Sequence, residues 1–244
     1  IQFIKGTIET LYATTLTGWH GNKCLGFTLT LDEQERKVTM SARDTLEQLE
    51  KELLNGVVRI SPKHAWSMEF YDIPPGEVPC EGDATRTSVL QDMALTRHAL
   101  GTFIWTNQAH MEGMACTNVL CSNMQYPNSR TLKCARYLLM HLLAFSVGVS
   151  FGKKDHFGLE QPDDVDLKNP YGSSKFMFAH FFADANLRLS STTGGVGMLG
   201  GGCILPISQR QHLAAPGSHT VEVVGAGTNF SLLVPVGGVL QELR

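Results

Sequence analysis

The chain has little charge, no basic excess and no long apolar run. Only 18% of its 244 residues are Asp, Glu, Lys or Arg, and they nearly balance, at a net charge of −3. A protein that grips a nucleic-acid backbone carries a basic balance or a basic stripe. Scattered Lys and Arg are all this sequence offers, which counts against nucleic-acid binding by the chain alone. A hydrophobic fraction of 43% excludes a disordered protein and suffices for a sizeable core.

No stretch is long enough to cross a membrane. The best candidate, Tyr137 to Phe151, has fifteen residues without formal charge and contains His141, whereas a span needs about 20. The six cysteines (Cys24, Cys80, Cys116, Cys121, Cys134, Cys203) form no C-x-x-C pair and no zinc-finger spacing. Cys116 and Cys121, five apart on an expected helix, fall on different faces. Free, mostly buried thiols in a reducing intracellular compartment are the expectation. Nine histidines are dispersed without a ligand pattern. The chain opens Ile-Gln-Phe, without an initiator Met or a signal-like segment, which predicts a fragment or a processed product.

Local patterns are plentiful. In CLGFTLTLDEQERKVTMS, Leu25, Phe27, Leu29 and Leu31 alternate, Asp32 to Arg36 forms a turn, and Val38 and Met40 resume the period of two. That predicts a β-hairpin. Ser41 with Asp44 suggests a capping box, and Leu46, Leu49, Leu53 and Leu54 mark one face of a helix that stops near Gly56. Four prolines between residues 57 and 87 forbid long regular elements. Helices are predicted at about 88–107, 110–124 and 129–147, the last on the spacing of Leu132, Ala135, Leu138, Leu139, Leu142 and Leu143. The polar, proline-bearing segment 159–175 reads as a linker between units at 1–158 and 176–244.

Two glycine patterns mimic cofactor loops. Gly195, Gly197 and Gly200 satisfy G-x-G-x-x-G, but Pro206 stands where a phosphate-binding helix should run. Gly225 and Gly227 follow the strand-like VEVV, yet Phe230 takes the third glycine position and only seventeen residues remain after Gly227. Hairpin and helix-start roles are the better expectation, and no dinucleotide site is predicted.

Phe176 to Val224 carries a more specific order: an apolar run to Asp184, a Ser-Ser-Thr-Thr-Gly turn, a Gly-rich hairpin, Ser-Gln-Arg-Gln and then Glu222. This order resembles the RNase H domain of copia-type LTR retrotransposons, with its Asp-Ala-Asp strand, Ser-Thr-Thr-Gly turn, Gly-Gly hairpin, Ser-Lys-Lys-Gln segment and Glu-Ala-Glu-Tyr helix start. The resemblance implies that Asp184 matches the first-strand Asp and Glu222 the helix Glu. In such enzymes these carboxylates, with two further Asp, hold two Mg²⁺ ions that activate water and stabilise the leaving oxygen. Here Asn186 replaces the second acid, Thr220 stands for the first Glu and Val223 for the Tyr, and no later Asp follows before Arg244. The glycines and Pro235 after Glu222 also predict a poor continuous helix.

Upstream, the hairpin and Leu-rich helix resemble the palm-to-thumb passage of a copia-type reverse transcriptase. RHALGTFIW resembles its Arg-x-x-x-Gly-x-x-x-Trp, NVLCSNMQYP its Leu-Ser-x-x-Met-x-x-Pro, and ARYLLMHLLAFSVGVSFG its Ala-Lys-Arg-x-Leu-x-Tyr-Leu…Gly-x-x-Phe. No adjacent aspartate pair precedes Cys24, where the polymerase metals would be held, and Asp163–Asp164 lies in the linker.

The expectation is therefore an α+β protein: a palm-edge hairpin and helical thumb and connection, followed by a truncated RNase H-like mixed sheet. Its expected role is a non-catalytic structural or interaction subunit of a larger assembly, without a cofactor. Two rivals stand beside it. One is a fragment of an active polyprotein, in which Asp184 and Glu222 bind Mg²⁺ and the chain engages an RNA–DNA hybrid. The other is a non-catalytic RNA scaffold.

Overall fold

A computed structural model describes residues 22–24, 26–35, 37–58, 60, 62–65, 73–152, 179–186, 191–199, 201–211 and 217–242. The proposed linker and residues 1–21 lie outside them. The order is β1 (Asn22–Cys24), β2 (Phe27–Asp32), β3 (Lys37–Ser41), α1 (Arg43–Leu53), α2 (Arg86–Thr106) and a 3₁₀ turn (Met111–Gly113). Next come α3 (Met114–Cys121), α4 (Ser129–Phe145), β4 (Val149–Phe151), β5 (Ala179–Asn186), β6 (Thr192–Leu199), β7 (Gly202–Arg210) and α5 (Ser218–Glu242). The protein is α+β.

The predicted hairpin is β2–β3, with Leu31 opposite Val38 and Leu29 opposite Met40. Asp32 closes its turn by accepting the N–H groups of Gln34 (3.1 Å) and Glu35 (3.0 Å) on Oδ1. β1 and β4 extend it to an antiparallel sheet of order β1-β2-β3-β4. Gly148, at φ +95°, delivers the chain into β4 where a Cβ would strike the backbone of Met40 and Ser41; only glycine takes both the conformation and the contact.

The helical core is the one that leucine spacing predicts. Leu46, Leu49 and Leu53 of α1 meet Leu100 and Phe103 of α2, Leu120 of α3 and Leu138, Leu139 and Leu142 of α4, all fully or nearly fully buried. Each such side chain contributes about 1.5–3 kcal/mol of burial. The segment 73–80 has no regular structure and is held against the loop before α4. Asn128 Nδ2 donates to Pro74 O (2.8 Å), Asn123 Nδ2 to Ile73 O (3.1 Å), and the Gly76 N–H to Tyr126 O (2.6 Å).

Three residues of RHALGTFIW fall one helical turn apart on α2. Arg97 Nε donates to Met124 O (3.1 Å) and its Nη2 to Gln125 O (2.5 Å). Trp105 stacks on Phe27 of β2 at a centroid distance of 5.1 Å. Gly101 meets nothing within 4 Å of a notional Cβ, so local packing does not explain it.

Four expectations are corrected. The Ser41–Asp44 capping box does not form: α1 is preceded by Ala42 with no side-chain cap. Ser41 is instead the last residue of β3, paired with Thr28, and the Asp44 carboxylate meets Lys23 at 2.7 Å. The second sheet is antiparallel in every described strand, order β5-β6-β7, and not mixed, because a hairpin and a short loop connect its strands without a crossover. VEVV is helical, not a strand. Finally, α5 is one helix of 25 residues despite four glycines and Pro235, with Gly225 and Gly227 inside it rather than at its start.

Packing overrides propensity in α5. Val221, Gly225 and Asn229, spaced by four, form its buried stripe. Asn229 Nδ2 donates to Gly194 O at 3.2 Å, and Gln211 Nε2 joins Thr193 Oγ1 (2.9 Å) to Val221 O (3.1 Å).

Candidate functional site

Asp184 lies opposite Gly194 in the β5–β6 register. Its neighbour Ala185 faces α5: a Cβ on Gly225 would lie 3.1 Å from that of Ala185. Side chains alternate along a strand, so Asp184 belongs to the opposite face. There it lines an open cleft of about 340 Å³ with Phe182, Gly194, Val196, Pro206 and Ser208 of the sheet and Met111, Met114 and Ala115 of the helical unit. Asn118 Nδ2 of α3 donates to Ser208 Oγ of β7 at 3.1 Å, fixing α3 to this face. β4 also meets β7, where a Cβ on Gly202 would collide with Phe151.

The Asp184 carboxylate is exposed, and its Oδ1 accepts the Ala185 N–H at 2.9 Å. Among the described residues that line the cleft, Asp184 is the one charged residue, with no Lys, Arg or His. Glu222 is exposed, the fifth residue of α5, beside the buried Val221. The structure thus places the two acids on different elements, with Asp184 turned to the face away from α5.

Two bound Mg²⁺ ions need several carboxylates converging at octahedral positions. Among the described residues, no three His, Cys, Asp or Glu side chains come together as such a group. Asp184 and Glu222 stand on different elements, β5 and α5.

The glycine-rich segment serves packing and turning. Gly201 takes φ +76° in the β6–β7 hairpin. Gly195 is where Asn229 of α5 presses on the sheet, so a Cβ there would overlap the Asn229 amide. Pro206 sits within β7 opposite Val196.

Burial suppresses ionisation of three of the thiols. Burial pushes the Cys116 thiol up to about 12 and raises those of Cys121 and Cys203, so thiolate is scarce at neutral pH. Cys80, Cys116, Cys121 and Cys203 are free thiols, and Cys80 is exposed.

Sequence reasoning found Asp184 but not its surroundings. Met111, Met114 and Ala115 come from a distant turn and helix, and no local pattern announces that they line a cleft with β5. His110, one of the dispersed histidines, is another omission: it is fully buried, and its ring nitrogens meet the Ala42 N–H and Ser146 Oγ. Among the described residues, no helix is long and apolar enough to cross a membrane.

No protein-family model, no curated protein and no solved structure matches the chain.

Proposed function

We propose that the chain is a non-catalytic structural or interaction subunit derived from the reverse transcriptase and RNase H region of a copia-type retroelement. The observation that carries this reading is a conjunction. The chain order runs from β-hairpin to Leu-rich helix, helical unit, three antiparallel strands and a helix bearing Glu222 near its start. That is the order the resemblance calls for, yet Asp184 is turned to the sheet face away from the helix that carries Glu222. A fold depends on apolar pattern and packing, whereas two-metal hydrolysis depends on a few carboxylates held within reach of the same ions. The former can persist when the latter is lost. The placement of Arg97 and Trp105, each tying α2 to a neighbouring element, adds support from the helical unit.

The test is hydrolysis of a labelled RNA–DNA hybrid in Mg²⁺ or Mn²⁺ by the purified chain and by Asp184→Asn. No cleavage by folded protein is expected. Cleavage that disappears in the variant overturns the reading in favour of a working RNase H site. Hybrid or RNA binding without cleavage, steeply weakened by salt, would favour the RNA scaffold instead.

A further inference from the structure

The cleft between α3 and the second sheet combines apolar walls with one negative charge. Met111, Met114, Val196 and Pro206 supply the walls, and Phe182, 45% exposed, and Val196, 38% exposed, leave it open to solvent. Among the described residues that line it, Asp184 is the only charge. Its Oδ1 holds one hydrogen bond, from the Ala185 N–H, and a carboxylate has about four acceptor positions, so the group can take further donors on both oxygens. A phosphate is repelled here, which sets this face against nucleic acid. A bare ammonium would satisfy the acid but leave the apolar walls wet.

One common side chain meets both demands. Arginine has an apolar stem that packs along methionine and valine, and a planar fork that engages a carboxylate through two N–H groups. A cleft of about 340 Å³ admits such a side chain with neighbouring backbone. We propose that this cleft is a socket for an arginine side chain presented by a partner protein, with Asp184 as its anchor. The inference rests on the reading of the chain as an interaction subunit, and it gives that subunit a contact residue and a partner chemistry.

The experiment titrates the intact chain, free of nucleic acid and divalent metal, with a capped alanine peptide carrying one central arginine. The control is the same peptide with citrulline, which keeps the shape and removes the charge. The arginine peptide is expected to bind at least about tenfold more tightly than its citrulline counterpart. Asp184→Asn should erase that difference. Ala115→Trp, which fills the mouth of the cleft from the exposed side of α3, should weaken binding while leaving the carboxylate in place.

Equal binding of the two peptides overturns the socket, as does an unchanged affinity in Asp184→Asn or no binding at up to about 10 mM peptide. A parallel titration with Mg²⁺ separates the inference from the reading beneath it. Displacement of bound peptide by Mg²⁺, together with hybrid cleavage, defeats both. Absence of peptide binding without cleavage defeats the socket alone.

Discussion

His110 Nε2 accepts the backbone N–H of Ala42 at 3.0 Å, across 68 positions of sequence. An acceptor nitrogen carries no proton, so the imidazole is the tautomer with hydrogen on Nδ1, and that N–H donates to Ser146 Oγ. One buried ring therefore joins the β3–α1 corner to the C-terminal cap of α4. Arg43 reinforces the same junction from outside, its Nη1 donating to Leu143 O.

This arrangement works only while His110 is neutral. Burial is the largest cause holding its pKa below the ordinary 6.5. The Arg43 charge acts in the same direction, and Glu112 acts against both. With the folded value depressed, the unfolded chain takes up the proton first as pH falls. The stabilisation is complete above about 6.5 and is lost progressively below it. Protonation would also set two N–H groups against each other at Ala42. Urea unfolding at several pH values between 8 and 5 should show the midpoint falling on the acid side. His110→Ala should lower stability at pH 8 by about 2–4 kcal/mol, through an orphaned buried N–H and a cavity, and should flatten the acid decline. Parallel pH curves for parent and variant would show that another group is responsible.

A second expectation concerns the start of α4. Asn128 is its N-cap: Oδ1 accepts the Thr131 N–H at 2.9 Å, and Thr131 Oγ1 accepts the Asn128 N–H at 3.2 Å. The Asn128 amide also donates to Pro74 O, so one side chain both starts a core helix and fastens the irregular segment. Asn128→Ala should cost about 1–2 kcal/mol. Asn128→Asp, which keeps the cap and loses the donor to Pro74, should recover most of that in chemical denaturation. An alanine variant within about 0.5 kcal/mol of the parent would mean the cap contributes nothing.

These details show what local sequence carries and what it does not. The β2–β3 hairpin and helices α1, α2 and α4 are legible because alternation at Leu29 and Leu31, and helical spacing at Leu138, Leu139 and Leu142, are properties of neighbouring residues. The capping box is misplaced because Ser41 and Asn128 look alike locally, and pairing of β3 with β2 decides which can cap. Asp184 and Glu222 emerge from the order of motifs, but the separation of their side chains depends on which residue of β5 turns toward α5. That choice is made by the contact between Ala185 and Gly225, which no window of sequence contains.

The same contact makes α5 testable. Glycine inside a helix costs about 1 kcal/mol relative to alanine, so four glycines would make this helix marginal by itself. Gly227 is exposed and a Cβ there meets nothing within 4 Å, so Gly227→Ala should stabilise the protein by about 1 kcal/mol. Gly225 differs, being buried, with its notional Cβ already 3.1 Å from Ala185. Gly225→Leu gains as much in helix propensity, yet forces a large side chain between α5 and β5. It should lower stability by about 1–3 kcal/mol. Thermal or urea midpoints of the two variants should move in opposite directions. If Gly225→Leu is as stable as Gly227→Ala, α5 does not close on β5 through this glycine, and the argument that turns Asp184 to the other face of the sheet fails with it.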